Sequence, residues 1–156
     1  MQPEPQRLQT PVIHEASYRT MAPTPPVETA LLARDRPHLI ALVEDDPCVR
    51  DSLRRVLRLL GFAVEAYASA EALLDSADLG QIDCLLLDVH LPGMSGPRLK
   101  VELVRSGVDV PAVFISGAVD PGIMQGIRRR GDTLLHKPLD AELLATTLRE
   151  AIARRH

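Results

Sequence analysis

From residue 38 onward, short apolar runs alternate with amphipathic stretches, and this alternation restricts the fold more than any other feature of the sequence. The apolar runs predict strands over 38–43, 62–66, 84–88, 110–115 and 133–136. Residues with helical spacing predict helices over 48–60, 70–77, 97–106, 122–130 and in the stretch after Asp140. Five strands alternating with five helices imply parallel pairing through right-handed crossovers. The predicted fold is therefore an α/β, doubly wound three-layer sandwich.

The composition excludes several classes of protein. The chain has 156 residues and a net charge of −3, which suits one domain with a tail. No apolar run approaches the roughly 18 residues of a membrane span, and the beginning of the chain lacks the apolar core of a signal peptide. The two cysteines do not form a disulfide framework or a metal-site spacing, and the absence of Trp argues against an aromatic platform for nucleic acid. We therefore expect a cytoplasmic protein that does not bind nucleic acid or membranes.

The first 37 residues differ from the rest of the chain. They contain seven of the 13 prolines and show no sustained period of a helix or strand. We predict a Pro-rich, flexible leader over 1–37 and a folded domain over 38–156.

Polar side chains follow four of the predicted strands. Glu44-Asp45-Asp46 comes after the first strand, Asp88 ends the third, Ser116 follows the fourth and Lys137 follows the fifth. Taken singly, each residue is explained by helix capping, turn formation or surface charge. In a doubly wound sheet, however, these strand ends meet at one edge, where ligands bind. The four positions together therefore predict a functional site.

Clustered carboxylates indicate the chemistry of this site. Like charges at close range destabilise one another unless a cation compensates, and Mg²⁺ suits carboxylate and phosphate oxygens. Lys137 would add a positive charge and Ser116 a hydroxyl donor, which together favour the stabilisation of a phosphoryl group. Asp88 leaves a buried strand and is the best candidate for the nucleophile that forms an aspartyl phosphate.

The residues around these positions resemble a known family. ALVEDDPCVR at 41–50, LLLDVHLPGMSG at 85–96, VFISG at 113–117 and HKP at 136–138 are similar to the receiver domains of two-component response regulators, the CheY-like superfamily. The stretch over 87–96 looks closest to FixJ-type receivers. The resemblance covers about 39–154 and implies a five-stranded parallel sheet in the order 2-1-3-4-5 with five helices.

The resemblance also implies a role for each site residue. Asp88 would be the phosphoacceptor and a metal ligand. Asp45 would bind Mg²⁺ directly and Glu44 through water, and the backbone carbonyl of His90 would be a further ligand. Ser116 would be the switch residue, and Lys137 would contact the phosphoryl group from a Lys137–Pro138 bond that is typically cis in this family. His90 also borders the phosphoryl position, where it is either a modulator of phosphate lifetime or a surface imidazole without a role.

Two features depart from the family pattern. Leu134 occupies the position of the switch aromatic residue. Arg128-Arg129-Arg130 replaces residues that are often small in the family, and the segment from Ser116 to Lys137 that contains these arginines is about one residue shorter than usual. We interpret the arginines as a solvated face for protein docking, and both changes fall on the face that the family normally uses for output.

The predicted function is phosphorelay signal transduction by a response regulator that is not an enzyme and carries no DNA-binding output domain. Its partners would be a sensor histidine kinase, as phosphodonor, and a downstream protein, with homodimerisation left open. The alternatives are a phosphate relay or sink, a degenerate receiver that works without phosphorylation, and a phosphatase of the haloacid-dehalogenase type. The last class needs a second acid two residues after the nucleophile, where this chain has His90.

Overall fold

A computed structural model describes residues 36–118 and 120–155 of the chain. Its strands are β1 (Leu39–Val43), β2 (Ala63–Tyr67), β3 (Cys84–Asp88), β4 (Ala112–Ser116) and β5 (Thr133–His136). Its helices are α1 (Pro47–Leu59), α2 (Ala70–Ser76), α3 (Gly96–Arg105), α4 (Pro121–Arg129) and α5 (Ala141–Arg155), with a short 3-10 turn at Leu79–Gln81. Strands and helices alternate along the chain as the sequence predicts.

The five strands form one parallel sheet in the order β2-β1-β3-β4-β5. The predicted fold class and strand order are therefore confirmed. Because all strands run in the same direction, their carboxyl ends lie at one edge of the sheet. The central strands β1, β3 and β4 are almost entirely buried, which explains why they read as continuous apolar runs.

Two apolar cores lie on the two faces of the sheet, because alternate side chains of each strand point in opposite directions. One core packs α2, α3 and α4 onto the sheet through Leu73, Leu99 and Ile127. The other packs α1 and α5 onto the opposite face through Leu57 and Leu148. This is the three-layer arrangement expected from the sequence.

The helices begin where the sequence places capping residues. The Asp46 carboxylate accepts hydrogen bonds from the backbone N–H groups of Cys48 and Val49, and the Ser69 hydroxyl accepts one from Ala72. Asp140 accepts one from Leu143 at the first turn of α5. Each of these three helices therefore begins at a residue whose side chain satisfies a free backbone N–H group of the first turn.

Three strands begin later than expected: β1 and β2 by about one residue, and β4 by about two. The sequence predicts a strand over 110–115, whereas β4 runs from Ala112 to Ser116. Pro111 has no N–H to donate to a neighbouring strand. The carbonyl of Val110, instead of pairing in the sheet, accepts a hydrogen bond from the buried ammonium of Lys100.

The predicted leader, residues 1–37, falls almost entirely outside the described residues, and its flexibility stays a prediction. Within 36–118 and 120–155, none of the helices combines the length and apolar character that crossing a bilayer requires.

Candidate functional site

The register of the sheet brings the predicted acidic residues together. Val43 of β1 pairs with Leu87 of β3, so the residues that follow, Glu44 and Asp88, are neighbours at the carboxyl edge. Carboxylate oxygens of Glu44, Asp45 and Asp88 all lie within 4.8 Å of one another. Glu44 is 1% and Asp88 6% exposed, whereas Asp45 is open to solvent. The site is therefore a buried carboxylate pair with a third, accessible carboxylate beside it.

Lys137 supplies the nearest positive charge to this pair. Its Nζ donates to Glu44 Oε2 at 2.9 Å and to Asp88 Oδ2 at 3.1 Å. The residue follows β5, and its backbone N–H donates to the carbonyl of Ser116 at 2.9 Å, which fixes the start of its side chain beside β4. The Lys137–Pro138 peptide bond is cis, as the resemblance implies. Groups from three strand ends thus converge on Asp88.

The electrostatics follow from this geometry. Burial raises the pKa of Glu44; hydrogen bonding to Lys137 opposes the increase, and the nearby charge of Asp88 adds to it. For Lys137, partial burial lowers the pKa of the ammonium, but hydrogen bonds to Glu44 and Asp88 outweigh this effect and raise it overall. Lys137 is therefore held in its charged form, and the site pairs one cation with several carboxylates.

The Ser116 hydroxyl lies at the same edge and is engaged with its own loop. Its Oγ donates to the carbonyl of Ala118 at 2.7 Å and accepts from the Ala118 N–H at 3.1 Å. The residue is 2% exposed. Its hydroxyl would have to exchange its bond to the Ala118 carbonyl in order to donate to a group on Asp88.

The loop after β3 holds the other oxygen of Asp88. The backbone N–H of His90 donates to Asp88 Oδ1 at 3.0 Å, while His90 itself is exposed. This loop is tied to α2, because the Glu71 carboxylate accepts from the Met94 N–H at 2.9 Å. The orientation of the Asp88 carboxylate is thus set by Lys137 on one oxygen and by a fixed loop on the other.

Two residues that support the site were not predicted from the sequence. A Cβ atom on Gly96 would overlap the backbone carbonyl oxygen of Asp88, so the start of α3 can approach this strand end only with glycine. Arg50 on α1 donates from Nη1 to the carbonyls of Glu44 at 2.8 Å and Asp45 at 3.3 Å. A glycine directly after Ser95, the helix cap, was the available signal for the first; no sequence pattern indicated the second.

The site is able to hold a hard divalent cation. Glu44, Asp45 and Asp88 offer only carboxylate oxygens, and one of the three, Asp45, faces solvent, where retained waters could complete a coordination shell. Asp46 does not join this cluster, because its carboxylate caps α1. The donor set fits Mg²⁺, as the sequence predicts.

Leu134, at the position where the sequence lacks an aromatic residue, lies within β5 opposite Phe114 of β4. It is partly buried and packs against the core formed with α2, α3 and α4. The structure therefore places this side chain at the boundary of the apolar core, packed against its buried residues.

The chain is similar in sequence to known response regulators. The model of the family described as response regulator receiver domain matches residues 40–149. Response regulator protein TodT of Pseudomonas putida is 33% identical over 119 residues, which cover 76% of this chain and 52% of TodT. Transcriptional regulatory protein FixJ of Azorhizobium caulinodans is 30% identical over 116 residues, covering 74% of this chain and 55% of FixJ.

A solved structure of a response regulator is also similar to this chain. The response regulator StyR superposes with a TM-score of 0.70 and 32% identity, covering 76% of this chain and 62% of StyR. The chain spans about half the length of the curated relatives that it matches. The fold, the strand-end residues and the match over 40–149 agree, and this chain belongs to the response regulator receiver domain family.

Proposed function

We propose that this chain accepts a phosphoryl group on Asp88 from a phosphohistidine of a sensor histidine kinase, with Mg²⁺, and thereby changes its binding to a downstream protein. The observation that carries the proposal is the position of the Lys137 ammonium, which lies between the buried carboxylates of Asp88 and Glu44 beside the accessible carboxylate of Asp45. This arrangement offers a nucleophile, a fixed cation and a metal site within one small volume.

Phosphoryl transfer at this site would be direct. A carboxylate oxygen of Asp88 attacks phosphorus, the new O–P bond forms as the P–N bond of phosphohistidine breaks, and the electron pair of that bond stays on the imidazole nitrogen. Lys137 is placed to contact a phosphoryl oxygen. Mg²⁺, held by Glu44, Asp45 and Asp88 with the backbone carbonyl of His90 as a further ligand, would offset the negative charge of the incoming group.

The change in partner binding would begin at Ser116. Donating its hydroxyl to the phosphoryl group requires the hydroxyl to leave the carbonyl of Ala118, which moves the loop between β4 and α4. Leu134 packs in the core beside β4, so we propose that repacking of this aliphatic side chain, instead of rotation of an aromatic ring, transmits the movement.

Labelling with a small phosphodonor tests the proposal. The full chain, incubated with Mg²⁺ and acetyl phosphate, should incorporate phosphate at one site per chain, and Asp88→Asn should abolish the labelling. Asp46→Asn is the matched control, because it changes a neighbouring carboxylate that caps α1 and lies outside the cluster. Labelling of the control should persist.

The alternatives give different results in the same experiment. Repeated turnover of a phosphoester would indicate a phosphatase, against our proposal that the chain is not an enzyme. Absence of labelling would indicate a degenerate receiver. Phosphate that passes on to a second histidine protein without altering any partner binding would indicate a relay or sink.

The setting of this function is also a proposal. We propose a cytoplasmic protein that acts on a protein partner and not on nucleic acid, with homodimerisation open to test by sedimentation with and without beryllofluoride. The expectation that the protein works without an output domain stays a prediction.

A further inference from the structure

A second concave site lies at the opposite edge of the sheet from Asp88. Asp109 and Pro111, which precede β4, Asp132, which precedes β5, and Ala151 of α5 line a cavity of about 590 Å³. Residues of α3, Val104 among them, close its other side. A volume of this size falls within the range of small-molecule sites. The proposed phosphorylation chemistry uses none of these residues.

Positive charge dominates the lining of this cavity. Five basic residues, Lys100, Arg105, Arg130, Arg154 and Arg155, face two acids, Asp109 and Asp132. Lys100 and Asp109 neutralise each other through an ion pair of 3.1 Å. Among the described residues, Arg130, Arg154 and Arg155 have no carboxylate within ion-pair distance. A concave surface with unbalanced guanidinium groups attracts anions and suits the oxygens of phosphate groups.

The remaining walls are apolar and include one carboxylate oxygen that lacks a hydrogen-bond partner among the described residues. Val101, Val104 and Ala151 line the cavity, and Val104 is 51% exposed although it is a large aliphatic residue. Asp132 Oδ2 is buried and has no hydrogen-bond partner among the described residues. An apolar wall suits a planar ring, and an unpaired carboxylate oxygen requires an N–H donor.

We propose that this cavity binds a nucleoside phosphate, with the phosphate groups on Arg130 and Arg154, the base against Val101 and Val104, and an N–H group of the base near Asp132. A phosphate alone would leave the apolar wall and the acid unused. Arg154 donates to the Thr133 hydroxyl at 3.5 Å and Arg155 to the Ile82 carbonyl at 3.0 Å, so both have neutral partners, and an apolar ligand would leave their charge unbalanced. A nucleotide combines the three features that the cavity offers.

Calorimetric titration of the full chain with GTP and ATP in EDTA at physiological ionic strength tests this proposal. Binding should be saturable at one site, and pyrophosphate and ribose 5-phosphate should bind at least about ten-fold more weakly, because they lack the base. The double variant Arg130→Ala/Arg154→Ala should lose at least about ten-fold in affinity, since hydrogen bonds from a charged donor to phosphate are stronger than those between neutral groups.

Matched variants distinguish specific binding in the cavity from non-specific attraction of the nucleotide to basic surface residues. Arg128→Ala/Arg129→Ala removes the same charge from α4 outside the cavity and should change the affinity less than about two-fold, the small effect expected of exposed charges. Val104→Phe fills the mouth of the cavity from an exposed position and should abolish binding. Asp88→Asn should bind as the wild type does, so failure at one site is distinguishable from failure at the other.

Three results would overturn the proposal. These are the absence of saturable binding by either nucleotide, equal binding of pyrophosphate, and an equal loss in the two arginine double variants. Melting temperatures of the variants, measured in parallel, identify any that do not fold. In that event Val104→Phe, a surface substitution, decides between binding and its absence.

Discussion

Lys137 Nζ lies 3.1 Å from Asp88 Oδ2, and the same ammonium lies 2.9 Å from Oε2 of Glu44. Counting side-chain atoms alone, Lys137 is 27% exposed, whereas Asp88 is 8% and Glu44 2% exposed. One cation of intermediate exposure therefore balances two buried anions. Its removal affects the stability of the domain as well as its chemistry.

We predict that Lys137→Ala destabilises the domain by about 1–3 kcal/mol, because Oε2 of Glu44 and Oδ2 of Asp88 then lose the charged donor that both share. Urea denaturation in EDTA measures the free energy of unfolding. Arg54→Ala is the control, since Arg54 pairs with Asp51 at 3.1 Å on the exposed surface, and such pairs contribute only about 0–1 kcal/mol. Equal stability of the two variants would contradict this account of the site.

The close approach of Gly96 to the end of β3 predicts a steric effect on the strand that carries Asp88. Gly96→Ala places a methyl group against the backbone carbonyl of Asp88, and we expect a destabilisation of about 1–3 kcal/mol with slower labelling of Asp88. Gly126→Ala on α4 is the matched substitution, because a Cβ atom there meets nothing within 4 Å. It should stabilise the helix by about 0.5–1 kcal/mol. The prediction fails if, in urea denaturation, both variants change the free energy of unfolding in the same direction relative to the wild type.

The two thiols should differ in reactivity. Cys84 is buried in β3, and burial raises the pKa of its thiol to about 12, whereas Cys48 is exposed on α1. Because the thiolate is the reactive form, iodoacetamide at neutral pH should modify one thiol per native chain and two after denaturation. Mass spectrometry counts the adducts. Cys48→Ser should eliminate native modification and Cys84→Ser should preserve it; the opposite pattern would place Cys84 at the surface.

Asp132 predicts a dependence of stability on pH. Burial raises the pKa of its carboxyl in the folded state above the value in the unfolded chain. Below the unfolded value both states are protonated, and Asp132 carries no penalty. As the pH rises toward the raised value, the unfolded chain ionises first, and the free energy of unfolding falls.

Asp132→Asn removes this titration. Relative to the wild type, the variant should therefore gain stability as the pH rises from the unfolded pKa to the folded one, and the gain should disappear in acid. Urea denaturation at several pH values measures the difference. Asp75→Asn, an exposed carboxylate on α2, controls for the change in net charge; a gain for Asp132→Asn that does not vary with pH would exclude titration as its cause.

The sequence predicts the fold well because the signals are local and repeated. Strands buried on both faces appear as apolar runs, and helices with one buried face appear as stripes, so their alternation already determines a parallel sheet. The predicted start of β4 was wrong, because the pattern of apolar residues does not take account of two local features. Pro111 lacks a backbone N–H donor, and the carbonyl of Val110 accepts a hydrogen bond from Lys100.

The residues of the candidate site could be predicted from the sequence, whereas the residues that hold them in position could not. Glu44, Asp88, Ser116 and Lys137 follow strands, and parallel strands bring such residues to one edge whatever the details of packing. Arg50 lies on a helix, and its contact with the acidic loop depends on a rotamer that no pattern reveals. The cavity at the opposite edge depends in the same way on the rotamers of side chains from α3 and α5, which lie on opposite faces of the sheet.

Arg50 links the first helix mechanically to the acidic loop. Its guanidinium holds the carbonyls of Glu44 and Asp45, so a displacement of α1 pulls on the backbone from which both carboxylates project. If the proposed function holds, a kinase that docks against α1 would shift the carboxylates of Glu44 and Asp45 without touching them, and recognition of the donor and readiness to receive its phosphate would be a single event.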